Sequence, residues 1–145
     1  MAVPSTRLLR QAVLDRLALV SNLKTYDGQI PQGSPPPEIP GSGGTVKPYA
    51  VLHAGAGRGY SDRVVGGSSA LSWSPQVTVA AGYPADCTAA VDRVRAQLTD
   101  QPLVIPDGTT GYLREAADTG NVRVDEQVSP ARFYVPLVFT VTATS

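Results

Sequence analysis

The sequence runs to 145 residues, 42% apolar and 17% charged, with 12 basic and 12 acidic side chains and a formal net charge of zero. That length fits one domain spanning residues 1–145, large enough to hold a core without a metal or disulfide. The charge balance excludes a basic nucleic-acid-binding domain, the single cysteine, Cys87, excludes a disulfide within the chain, and no apolar run approaches the ~20 residues of a membrane span.

The charged fraction falls below the ~25% usual for soluble domains, which fits a surface partly covered by neighbouring subunits. Met1 to Arg16 alternates charged and apolar residues instead of presenting the apolar block of a secretory signal. With one cysteine, a reducing compartment is the simpler reading, so synthesis in the cytoplasm is expected.

In chain order, the first expected element is a helix from about Ser5 to Leu23. Pro4 precedes it, and Ser5 or Thr6 can cap its free N–H groups. Leu9, Val13, Leu17 and Val20 form one apolar stripe at helical spacing. Arg16 falls inside that stripe's arc, where it either snorkels outward or pairs with a carboxylate across an interface. Asp27 to Pro48 is rich in proline and glycine and has almost no periodicity. Pro35, Pro36 and Pro37 favour an extended chain, while Gly41, Gly43 and Gly44 restore flexibility, so residues 27–48 read as an extended loop or surface arm.

Tyr49 to Ala54 reads as a short strand. Gly55 to Ser69 follows as a glycine-rich turn region carrying Arg58, Tyr60, Asp62 and Arg63. Leu71, Trp73, Val77 and Val79 then alternate with Ser72, Ser74, Gln76 and Thr78, the pattern of a half-buried antiparallel strand. Pro75 removes one ladder donor and predicts an edge or a bulge there. Pro84 to Thr99 reads as a second helix, with Pro84 in its first turn and Cys87, Ala90, Val91, Val94 and Leu98 on one apolar stripe.

The remainder is strand-like: Leu103 to Ile105, Tyr112 to Ala116, Val122 to Val128 after a turn at Asp118 to Asn121, and a long final strand from Arg132 to Thr144. Runs of consecutive strands around two helices predict an α+β fold, an antiparallel or mixed sheet with both helices on one face.

The chemistry-bearing residues are few. His53 is the only histidine, so a Ser–His–Asp or Cys–His mechanism would have to use it. It sits at the end of a short strand, where a solvated or locally bonded histidine is expected, and Cys87 is expected to face the core. One histidine and one cysteine do not fill a common zinc pattern. Asp118, Asp125 and Glu126 do not match the spacing of a calcium loop.

Gly55, Gly57 and Gly59 follow G-x-G-x-G spacing, and neither a dinucleotide fingerprint nor a phosphate loop is completed. These glycines fit a flexible or positive-φ hairpin loop, with a small-ligand module built on residues 55–69 as the alternative. Arg58, Arg63, Tyr60 and Tyr112 have the makeup of a protein interface. Together with Arg16, Asp62 and Arg114 they form the candidate contact set. No catalytic, cofactor or metal residue is assigned.

The element order and several strings resemble the tail terminator, or tail completion, proteins of long-tailed non-contractile bacteriophages. The resemblance covers most of the chain. It rests on Leu8-Leu9-Arg10-Gln11-Ala12-Val13 in the opening helix, then Tyr26-Asp27-Gly28, then Pro48-Tyr49-Ala50-Val51-Leu52 before the glycine-rich loop. Trp73-Ser74-Pro75-Gln76-Val77-Thr78-Val79 comes next, followed by Ala90-Val91-Asp92-Arg93-Val94-Arg95-Ala96-Gln97-Leu98 and, in the closing strand, Phe133-Tyr134-Val135. The resemblance implies a structural virion protein that forms a ring, commonly a hexamer, at the head-proximal end of the tail. Such a ring stops tube polymerisation and contacts itself, the tail-tube protein and head–tail connector proteins. DNA passes through its channel without specific binding, and no membrane is involved. A connector or tail-tube subunit is the nearest alternative. If the face carrying Ser72, Ser74, Gln76, Thr78, Thr140 and Thr142 lined the channel, DNA could pass it without strong phosphate binding, which comes from Lys and Arg.

Overall fold

The computed structural model describes residues 4–60, 70–106, 109–116 and 121–144. Ser5 is extended and its hydroxyl accepts the Leu8 N–H at 3.4 Å, which starts helix α1 (Thr6–Leu17). The helix ends six residues before the expected Leu23. The N–H groups of Leu19 and Val20 turn to the carbonyls of Arg16 and Leu17 at 3.1 Å each, tightening the chain into a turn. Asn22 then takes a φ of 53°, a left-handed value that asparagine tolerates better than most residues. The stripe survives this change, because Leu9, Val13, Leu17 and Val20 are all buried.

Strand β1 (Lys24–Asp27) pairs in parallel with β2 (Tyr49–His53), and β2 pairs antiparallel with β5 (Gln76–Ala81). Strand β3 (Arg58–Tyr60) pairs with β4 (Ala70–Trp73). The expected single strand across residues 71–79 is therefore two, parted at Ser74 and Pro75. The break is local. Trp73 faces Val141 and Gln76 faces Val138, so one register continues past the proline. Pro75 has no N–H to give, but its carbonyl accepts the Phe139 N–H at 2.9 Å.

Helix α2 (Pro84–Leu98) buries Cys87, Ala90, Val91, Val94 and Leu98, the stripe its spacing predicts. Strands β6 (Pro102–Val104), β7 (Thr110–Tyr112), β8 (Arg114–Glu115) and β9 (Arg123–Asp125) follow, and β10 (Arg132–Thr144) closes the chain. The main path of the sheet runs β1-β2-β5-β10-β4-β3, with β7, β8 and β9 also on β10, and β6 on β7. The structure is thus the expected α+β fold, with a mixed, mostly antiparallel sheet. Among the described residues no helix is long and apolar enough to cross a membrane.

Both helices cover one sheet face. Their stripes meet Ala50, Leu52, Trp73, Val77, Val79, Leu137, Phe139 and Val141 in the main core. Burying each Val or Leu side chain there stabilises by about 1.5–3 kcal/mol relative to exposure. Arg95 and Glu115 clamp α2 to β8 through bonds of 2.8–3.1 Å. The opposite face carries a smaller core of Tyr26, Val46, Tyr49, Val51 and Ala80, with Ile30 and Tyr134 beside it. Tyr26 and Tyr49 meet edge to face, centroids 6.1 Å apart, an arrangement worth about 0.5–1.5 kcal/mol beyond its area.

Residues 28–48 supply part of that second core. The Ile39 N–H donates to the Thr45 carbonyl at 2.8 Å and the Lys47 N–H to the Pro37 carbonyl at 2.7 Å, folding the segment back on itself. Thr45 and Val46 are buried, and the Val46 carbonyl accepts the Gly82 N–H at 3.1 Å. Gly82 is a glycine for want of space: a Cβ there would collide with Thr45 Cγ2 and stand 3.0 Å from the Val46 carbonyl oxygen.

Two stability predictions follow from this packing. Gly82→Ala should cost about 1–3 kcal/mol by overpacking and speed hydrogen exchange at Ile39 and Lys47 while leaving α2 amides protected. Leu98→Ala should cost about 2–5 kcal/mol in urea unfolding, since Leu98 is fully buried.

Candidate interaction surfaces

Alternation along β10 sorts its side chains onto two faces. Leu137, Phe139, Val141 and Ala143 point under the helices and are buried, while Thr140, Thr142 and Thr144 are exposed on the other face. Cross-strand register extends this second face sideways. Ser72 stands opposite Thr142, Arg58 opposite Ser72, Thr110 opposite Thr144, and Arg114 opposite Thr140. The result is a hydroxyl-rich surface with a shallow hollow of about 310 Å³ lined by Thr110, Tyr112, Arg114, Thr140, Thr142 and Thr144.

Arg58, distant in sequence from Tyr112 and Arg114, is thereby brought to the same face as they are. Tyr112 is 55% exposed. The Arg114 guanidinium lies 6.0 Å from the Tyr112 ring centroid and 3.1 Å from Asp100 Oδ1. That ion pair is well solvated on both sides, so it fixes local charge balance more than stability. Ser74, Gln76 and Thr78 continue the uncharged character towards β2, and none of them lies under the helices.

The other candidates fall elsewhere. Arg16 sits on the helix side, half-buried, and its guanidinium stays within the chain. Nε donates to the Gln97 carbonyl at 2.8 Å and Nη2 to Gln101 Oε1 at 3.1 Å. A cation on the last carbonyls of α2 complements the negative helix end. Tyr60 lies on β3 opposite Ala70. Asp62 and Arg63 are outside the described residues, as are Asp118 and most of the 55–69 loop. Gly57 has a φ of +72°, the left-handed value expected of a glycine hairpin, and its Cα faces the Ser72 carbonyl so closely that a Cβ would stand 2.8 Å from it.

A second hollow, of about 220 Å³, opens on the same face near β2 and β9. Val51, Thr78 and Ala80 form its floor, and Ile30, Tyr49, Tyr134, Arg132, Asp125 and His53 surround it. Nothing in the sequence reading singled it out. The alternation of Arg132 and Tyr134 with Phe133 and Val135 puts both on the outer face, but Tyr49 and Ile30 reach it only through a register and a loop path that spacing does not encode.

His53 and Cys87, the single histidine and cysteine of the sequence, are separated. His53 is exposed at the end of β2 on the outer face, while Cys87 is buried on α2 on the helix side. The Cys87 thiol donates weakly to the Val79 carbonyl at 3.7 Å, and burial pushes its pKa up to about 11. The folded state therefore favours the neutral thiol. This contribution is complete below the ordinary thiol range and is lost as pH rises towards 11. Tyr26, also raised by burial above the usual phenol value, acts in the same direction at higher pH. Urea unfolding at pH 8 and pH 10.5 should show falling stability in the native sequence and a shallower fall in Cys87→Ala. Equal slopes would mean the thiol is not held neutral by the fold.

No family model matches the chain, and no curated protein sequence matches it. Among solved structures the chain is similar to one described as part of the virion of a native gene transfer agent particle, with a TM-score of 0.61, 19% identity, and coverage of 97% of this chain and 98% of that one. The two chains share a fold from end to end.

Proposed function

We propose that this chain is a structural protein of a phage-like virion, and that it acts there as a tail terminator. In this reading copies of the chain close into a ring, six as in the family it resembles, on the head-proximal end of the tail tube. The ring ends tube polymerisation and offers head–tail connector proteins a surface to join. The protein assembles in the host cytoplasm, resides in the virion, and works by contact without catalysis or cofactor.

The observation that carries the reading is the fold shared over 97% of the chain with a component of a gene transfer agent virion. The outer sheet face supports it independently. A wall of Ser72, Thr110, Thr140, Thr142 and Thr144, whose arginines are Arg58 and the Asp100-paired Arg114, would offer DNA few phosphate contacts as it passes a channel. Arg16, Arg58, Tyr60, Asp62, Arg63, Tyr112 and Arg114 are the proposed contact residues between copies or with partners. A ring whose two faces meet different partners stops growing, whereas a subunit that binds its own opposite face continues into a tube.

The test is electron microscopy of gold-labelled protein mixed with tail tubes of its own particle. Label at one end of each tube, with closed rings there, is the expected picture. Label along the tubes, or open-ended tubes built from this chain alone, would move it to the tube subunit; label on isolated heads only would move it to the connector.

A further inference from the structure

We infer that the hollow between residues 28–48 and β9 is a docking site for an acidic polypeptide segment, a carboxylate side chain flanked by an apolar residue. The inference goes beyond the ring reading and does not depend on it.

Three observations carry it. The first is an unspent cation. Arg132 Nη1 donates to the Tyr49 hydroxyl at 3.2 Å, and its guanidinium carbon stands 5.7 Å from the Tyr49 ring centroid. The ion pairs among the described residues are Arg10–Asp27, Arg95–Glu115 and Arg114–Asp100, so Arg132 joins no carboxylate there. Asp125, its cross-strand partner, turns instead to the Gln127 N–H at 3.1 Å. A guanidinium has five donors in a fixed fork, so Arg132 is held in place with most of its hydrogen-bonding capacity unused. Such a group is matched by a carboxylate taken bidentately.

The second is charge around the hollow. Register puts Lys24 opposite Tyr49 and Arg123 opposite Tyr134, on the same outer face as Arg132. Arg132 is the cation in the lining, set against Asp125, and Lys24 and Arg123 stand on the same outer face beside the lining residues Tyr49 and Tyr134, with Glu126 following at the turn. The third is size and lining. At about 220 Å³ the hollow is smaller than the ~300–1,000 Å³ of small-molecule sites, and fits one or two side chains. Its tyrosine, tyrosine and arginine surround has the composition of protein–protein hot spots. Ile30, Val51 and Ala80 would take the apolar neighbour of the acid.

The experiment uses the full chain, isotope-labelled, titrated with the peptide acetyl-Ala-Leu-Glu-Leu-Ala-amide and its twin carrying Gln for Glu. Amide shifts should centre on Val51, Thr78, Arg132 and Tyr134, and the Gln twin should bind about tenfold more weakly, the size of one charge-assisted pair. Arg132→Gln should weaken the Glu peptide by a similar factor while keeping the native spectrum elsewhere. Asp125→Asn, which removes the competing carboxylate, should tighten it, which keeps the test decisive if the arginine variant folds poorly. Equal binding of both peptides, or shifts centred on Thr140 and Thr142, would overturn the assignment. So would the same cleft shifts from a short DNA strand. Shifts at these residues that grow with protein concentration alone would assign the hollow to a second copy of the chain and not to a separate acidic partner. Ring formation on tail tubes is read separately, so failure here leaves that reading intact.

Discussion

The thirteen-residue strand β10 is the constraint on which the other elements depend. One side of it bonds β5 and β4 in a single continuing register, and the other side bonds β9, β8 and β7 in turn. Five strands therefore take their positions from one. Backbone groups in a sheet interior must be paired within it, and here most of the pairing converges on residues 132–144. Because β10 comes last in the chain, many of these contacts join residues distant in sequence.

The strict alternation of β10 decides what each face of the protein becomes. Its buried set, Leu137, Phe139, Val141 and Ala143, gives α1 and α2 a common floor, and the helices complete the main core. Its outer set changes along the strand. Near Arg132 and Tyr134 the outer face is aromatic and cationic and is partly covered by residues 28–48. Near Thr140, Thr142 and Thr144 it is bare and hydroxyl-rich. One strand thus presents two chemically different outer surfaces, one centred near residue 133 and the other near Thr142. A pairing slip of one residue would exchange every buried side chain for an outer one, so the same alternation that builds the core also fixes these surfaces.

The sequence was most legible where one period dominates. The α2 stripe from Cys87 to Leu98 and the bounds of β10 from Arg132 to Thr144 match the structure closely, because each element buries one face and its spacing records that face. Legibility fell where a local effect competes. Ser21 and Asn22 favour a turn over a helix, which ended α1 at Leu17 although the apolar stripe runs on to Val20. Pro75 parted one strand into two without changing its register. The path of residues 28–48 had no periodic record at all, since its contacts are individual: Val46 on Gly82, Ile30 beside Tyr49. Arg58, Tyr112 and Arg114 are contact candidates by residue type alone, and their common face comes only from cross-strand register.

The crossed placement of His53 and Cys87 bears on the kind of work this fold can do. Opposite faces of a sheet are separated by the sheet itself, and no rotamer change brings a buried α2 thiol to an imidazole on the outer side of β2. A nucleophile–base pair from these two would require the sheet to open, at the expense of the main core that β10 organises. What the molecule presents outward is instead shape and hydrogen-bonding character: hydroxyls in one zone, and an arginine held against tyrosine in the other. Side chains already ordered by their neighbours lose little further freedom on contact with another molecule. The Arg132–Tyr49 contact is of that kind, since the guanidinium is held by both the ring and the hydroxyl of a tyrosine on β2.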